Sequence, residues 1–176
     1  QHPVKGRVPF TLFPFQEDCI RDFLDYKFCT INKSRQLGIS TVASAFCLWL
    51  TLFNRDKNVL LMATKLDGSK LMIQKLRIYY QGLPKWMLER LACQELDAES
   101  VKYIQFNNGS MIQAITTSPD AGRGQAVSLL IIDEAAHIEN LDTLWKGLYP
   151  TVSSHPGARI IVFSSPNGKN FFYNLV

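Results

Sequence analysis

From Val127 to Ile132 the chain is almost wholly apolar, and it runs straight into two acids, Asp133 and Glu134. A strand with one wet face alternates apolar and polar residues; an unbroken run marks a strand covered on both faces. Such a strand needs helices above and below it. Arg159 to Phe163 is a second run of the same kind. Phe28 to Ile31 and Val59 to Ala63 read as two more strands. Helical segments are expected over Gln16 to Tyr26, Ser40 to Phe53, Leu66 to Tyr80 and Leu141 to Leu148. Val101 to Phe106 and Met111 to Ile115 flank Asn107-Asn108-Gly109, a hairpin signature. Strands alternating with helices predict an α/β domain with a mainly parallel central sheet flanked by helices.

Composition supports one such domain. The chain has 176 residues, 47% of them hydrophobic and 19% charged, which excludes a disordered tail, a collagen-like fibre and a coiled coil. A net charge of +4 is compatible with nucleic acid or nucleotide partners without requiring either. Cys19, Cys29, Cys47 and Cys93 form no metal-ligand or disulfide pattern, and the three histidines are scattered. The most apolar stretch, Val42 to Phe53, falls far short of the roughly 20 residues of a membrane span. The ends, Gln1 and Leu175-Val176, read as those of a fragment cut from a longer polypeptide.

Between the first strand and the second helix lies Lys33-Ser34-Arg35-Gln36-Leu37-Gly38-Ile39-Ser40-Thr41. Phosphate loops read GxxxxGK[ST] in this setting: backbone amides cradle phosphate, the lysine reaches the β- and γ-phosphates, and the hydroxyl serves magnesium. Gly38 and Ser40 match the second glycine and the hydroxyl. Ile39 stands in the lysine position, and Lys33 in that of the first glycine. Because the loop curls around its ligand, a long side chain from its first residue can approach the same oxygens from the opposite edge. A plain turn with Ser40 or Thr41 as helix N-cap satisfies the same spacing.

Asp133-Glu134 sharpens the reading. An aspartate ending a buried strand can hold magnesium, and the glutamate after it can activate water for attack on a γ-phosphate. A turn-capping Asp133 is the plainer alternative. Ser164-Ser165-Pro166-Asn167-Gly168 ends the last buried strand, where α/β sheets place their ligands, so both serines can sense a γ-phosphate. An ordinary strand exit looks alike.

The order Gln16, Ser34-Arg35-Gln36-Leu37-Gly38, Ser118-Pro119-Asp120-Ala121-Gly122-Arg123-Gly124, Asp133-Glu134 and Ser165-Pro166-Asn167-Gly168 resembles the ATPase half of tailed-bacteriophage large terminases, the DNA-packaging motors. The resemblance runs from about residue 10 to 173. It implies a P-loop NTPase of the ASCE/RecA-like type and ATP and Mg2+ as cofactors. Gln16 would pair with adenine, residues 33–41 would bind phosphate with Arg35 among the contacts, and Ser40 and Asp133 would hold magnesium. Glu134 would be the catalytic base, Lys33 and Arg123 would act in catalysis, and Ser164 and Ser165 would couple hydrolysis to movement. Without the resemblance, Gln16 reads as a solvent-facing helix-start residue, and Arg123 as a salt-bridge or DNA-facing arginine.

The implied partners are double-stranded DNA, portal protein, the small terminase subunit and further copies in a ring on the procapsid. The setting is the cytoplasm of an infected bacterium, with no membrane. A nuclease domain would follow residue 176. Lys65, Lys70, Lys75 and Arg77 can touch DNA phosphates or form a solvated helix face. A helicase-like translocase and a nucleotide-binding assembly module without turnover are the competing readings.

Overall fold

The structure, a computed structural model, describes residues 10–118 and 124–176. Six strands form one sheet in the order β1-β6-β5-β2-β4-β3. The strands are β1 (Phe28–Asn32), β2 (Asn58–Met62), β3 (Tyr103–Gln105), β4 (Met111–Ala114), β5 (Leu129–Asp133) and β6 (Arg159–Ser164). All neighbouring pairs are parallel except the β3–β4 hairpin at one edge. The expected α/β architecture and hairpin are both present.

The apolar runs partition between two cores by the two-residue period of a strand. Val59, Leu61, Leu129, Ile131, Ile161 and Phe163 face one side, where they meet α1 (Pro14–Asp25), α2 (Ile39–Phe53) and α3 (Leu66–Gln81). Leu60, Met62, Leu130, Ile132, Ile160 and Val162 face the other, against α5 (Leu141–Ser153) and α6 (Phe171–Leu175). Leu129, Leu130, Ile131 and Ile132 are fully buried, each contributing about 1.5–3 kcal/mol relative to exposure. That is the physical content of the unbroken apolar run.

Two short helices escape a periodicity reading. The seven-residue α4 (Lys85–Leu91) is too short for a periodic signal and fully buries no side chain, with Leu91 only partly packed against the core. The five-residue α6 is set by its cap, the Asn170 side chain accepting from the Tyr173 amide. Helix α5 also continues past its expected end at Leu148, through Pro150 to Ser153.

The hairpin turn fastens to α2. The Asn108 amide donates to the carbonyls of Thr51 (2.8 Å) and Asn54 (3.1 Å), meeting acceptors at the helix end. Gly109 adopts φ +84°, and a Cβ there would collide with the Asp56 carboxylate, so glycine is required on two counts.

Sheet register positions everything that follows. Asn32 lies beside Ser164 and Asp133 beside Phe163, so β1, β5 and β6 end level with one another. Lys33, Glu134 and Ser165 each leave the sheet at that common edge.

Candidate active site

The loop after β1 joins the sheet edge to α2. Gln36 (φ +65°) and Gly38 (φ +73°) turn it through the left-handed region. Among the described residues, no backbone carbonyl meets the backbone amides of residues 34–38 at hydrogen-bond geometry. Helix α2 starts immediately after, so its own free amides and dipole add to the same concavity. The resulting pocket has a volume of about 510 Å3, bounded by this loop, Thr64, Glu134, His137 and Ser165.

Lys33 is buried, with 8% of its surface exposed, and its amine donates to Glu134 Oε1 at 2.7 Å. The same amine lies 5.9 Å from the centre of the Phe163 ring. Its backbone amide donates to the Ser164 carbonyl at 2.9 Å, which anchors the loop's first residue to β6. Glu134 has φ +52°, an uncommon backbone for a non-glycine residue, and begins a single 3-10 turn over Ala135–His137. The other carboxylate oxygen, Oε2, accepts from the Ser165 hydroxyl (3.1 Å) and amide (3.3 Å) and from the Ser164 hydroxyl (3.4 Å). Burial alone would push the Glu134 carboxyl up; the Lys33 ammonium and the Ser165 donors outweigh it and hold it below its ordinary value.

One layer deeper, Ser40 Oγ donates to Asp133 Oδ2 at 2.9 Å. Asp133 Oδ1 is buried without a hydrogen-bond partner among the described residues. Burial raises the Asp133 carboxyl, opposed by the Ser40 bond and the Lys33 charge. A hydroxyl beside a carboxylate oxygen with spare lone pairs suits a hard cation such as magnesium, which keeps much of its water and shares its ligands with phosphate. Among the described residues no group of three or more His, Cys, Asp or Glu side chains gathers to hold a metal. Phosphate oxygens and water would have to complete the shell.

Residues 30–176 match the family described as terminase large subunit, T4likevirus-type, N-terminal. The chain belongs to that family. The fold agrees. A point mutant of the Thermus phage P74-26 large terminase ATPase domain superposes with a TM-score of 0.72 at 20% identity, covering 94% of this chain and 69% of that one. The large terminase of bacteriophage HK97 gives 0.70 at 16% identity, covering 92% of this chain and 34% of that one. The large terminase of a thermophilic bacteriophage, in complex with ATP-gamma-S, gives 0.62 at 14% identity over 87% and 38% of the two chains. The chain thus spans about a third of the HK97 protein.

The terminase loop residues are disposed unequally. Arg35, Gln36, Leu37, Gly38, Ile39, Ser40 and Thr41 border the pocket, whereas exposed Ser34 does not. The side chain of Ile39 is 2% exposed and belongs to the core under α2, so only its backbone is available to a ligand. Gln16 is 3% exposed, which removes the solvent-facing reading. Its Nε2 donates to the Leu37 carbonyl at 2.8 Å and its Oε1 accepts from the Phe13 amide at 3.1 Å, tying the start of α1 to the loop. That leaves one donor and one acceptor site on the amide, but Gln16 does not itself line the pocket. Ser164 is fully buried and does not line the pocket: its oxygen receives the Ala136 amide at 3.0 Å, and its one proton faces the Ser165 carbonyl (2.9 Å) and, farther off, Glu134 Oε2 (3.4 Å); Ser165 is the serine on the pocket wall. Arg123 lies outside the described residues.

Two pocket residues escaped the sequence reading. Thr64 follows β2 at the common strand edge, and His137 follows Glu134 by one 3-10 turn. The signal for His137 was its spacing from the acidic pair, legible only once the turn is known. Arg77 is removed from the DNA candidates: its guanidinium is spent on Glu95 at 2.6 Å, with 13% and 7% of the two side chains exposed. Lys70 pairs with Asp67 at 2.9 Å, while Lys65 and Lys75 are exposed. Among the described residues no helix is long and apolar enough to cross a membrane.

Proposed function

We propose that this domain hydrolyses ATP with magnesium and is the motor half of a DNA-packaging terminase. The observation that carries the proposal is the meeting of Lys33 and Glu134 at 2.7 Å, against a loop whose amides meet no backbone carbonyl among the described residues and beside the Ser40–Asp133 pair. Membership of the terminase family supports nucleotide as the ligand, as do the structures of the thermophilic phage terminase with ADP and with ATP-gamma-S.

The loop amides and Arg35 bind the phosphates, with adenine on the Gln16 side. A triphosphate outcompetes a single carboxylate for the Lys33 amine because it carries more negative charge. Once the amine moves, Glu134 Oε1 is free while Oε2 stays fixed by Ser165. Oε1 then takes a proton from water, whose oxygen attacks the γ-phosphorus. The bond from that phosphorus to the β–γ bridging oxygen breaks, giving ADP and phosphate. Ser40 and Asp133 would hold magnesium, which when bound would supply charge neutralisation at the phosphate oxygens. Arg123 serves as the cationic finger, and Ser164 and Ser165 pass the hydrolysis state to β6. The partners are double-stranded DNA, portal protein, small subunit and further copies in a ring, in the host cytoplasm; nuclease activity belongs elsewhere.

ATP turnover by the purified chain tests this. Lys33→Ala and Glu134→Ala should each lower kcat by about 10²–10⁴, with ATP affinity reduced in Lys33→Ala and kept in Glu134→Ala. Normal turnover in Lys33→Ala would overturn the displaced-lysine assignment.

A further inference from the structure

His137 Nε2 stands 3.2 Å from Ser165 Oγ and 3.9 Å from Glu134 Oε2, with about a third of its side chain (34%) exposed to the pocket. A serine hydroxyl has one proton. Ser165 directs that proton to the ionised Glu134 carboxylate, which can only accept. Ser165 Oγ therefore has lone pairs alone to offer His137, and His137 Nε2 must carry hydrogen. The result is a one-way donor chain: His137 Nε2–H to Ser165 Oγ–H to Glu134 Oε2. Each donor in such a chain polarises the next.

The histidine is also rigidly mounted. The turn that carries it is clamped at Ala136, whose carbonyl accepts from Asn167 (3.1 Å) and Asn170 (2.8 Å) and whose amide donates to Ser164 (3.0 Å). The turn is thus tied to the segment that follows β6.

We propose that His137 is a positioning residue for hydrolysis. It locks the Ser165 hydroxyl onto Glu134 Oε2, so that Oε1, once the Lys33 amine leaves it for phosphate, presents one lone pair to the attacking water. The inference rests on Glu134 being the base. It assigns the histidine no proton transfer and no contact with nucleotide.

Three variants test it. His137→Phe keeps a ring without a donor, and His137→Gln places an amide nitrogen the same number of bonds from Cα as Nε2. His137→Phe should lower kcat about tenfold with unchanged ADP affinity, the unchanged affinity also showing that the fold survives. His137→Gln should recover to within about threefold. Combined with Ser165→Ala, His137→Phe should cost nothing further, since the chain is already cut. Unaltered kcat in His137→Phe beside an inactive Glu134→Ala overturns this inference alone. A loss in nucleotide affinity, or full additivity with Ser165→Ala, does so too. An active Glu134→Ala overturns the base assignment and the inference with it.

Discussion

Lys33 and Glu134, separated by 101 positions, form an ion pair in which the amine is the more deeply enclosed partner: 7% of the lysine side chain is exposed against 35% of the glutamate. Removing either partner is therefore unequal. Glu134→Ala strands an ammonium away from water, which costs about 1–3 kcal/mol, whereas Lys33→Ala leaves a carboxylate still served by Ser165 and partly hydrated. Thermal melts of the nucleotide-free protein should show the larger drop for Glu134→Ala. Equal drops, or the reverse order, would contradict this asymmetry.

The two adjacent acids have opposite linkage to pH. Glu134 titrates below its ordinary value when folded, so its contribution is present above the unfolded value and lost as pH falls through the lowered one. Asp133 titrates above its ordinary value, so its charge costs stability at neutral pH, and proton uptake relieves that cost on acidification. Asp133→Asn should therefore melt at or above the unmodified protein at neutral pH. Its advantage should shrink as pH is lowered through the raised Asp133 range. The same variant should lose the gain in ADP affinity that added magnesium confers, measured by titration calorimetry with and without EDTA. An advantage that grows on acidification would refute this direction of linkage.

Gln16 joins helix and loop through the two ends of one amide. Gln16→Glu keeps the acceptor for the Phe13 amide but loses the donor to the Leu37 carbonyl; Gln16→Ala loses both. The alanine variant should be destabilised by about 1–2 kcal/mol through loss of the helix-start bond and the buried loop contact. Both variants should bind ADP more weakly. If Gln16→Glu bound ADP as tightly as the unmodified chain, the bond to Leu37 would not matter for the loop's shape.

What was legible in the chain alone is what depends on near neighbours. The unbroken run 129–132, the Asn-Gly hairpin turn and the helical spacing of Leu66 to Tyr80 each specify an element through contacts a few residues apart. The elements appear where that logic puts them. The loop and the acidic pair were legible as motifs because strand-to-loop exits have local signatures. What the tertiary structure decided lies across the sheet. The level ends of β1, β5 and β6 bring Lys33 to Glu134, put Ser165 on the glutamate's second oxygen and set His137 behind Ser165. Packing turned the Ile39 side chain into the core, hid Gln16 against the loop and spent Arg77 on Glu95. Local periodicity carries no record of strand order or register, and these partners, 18 to 101 residues apart, meet only when both are set.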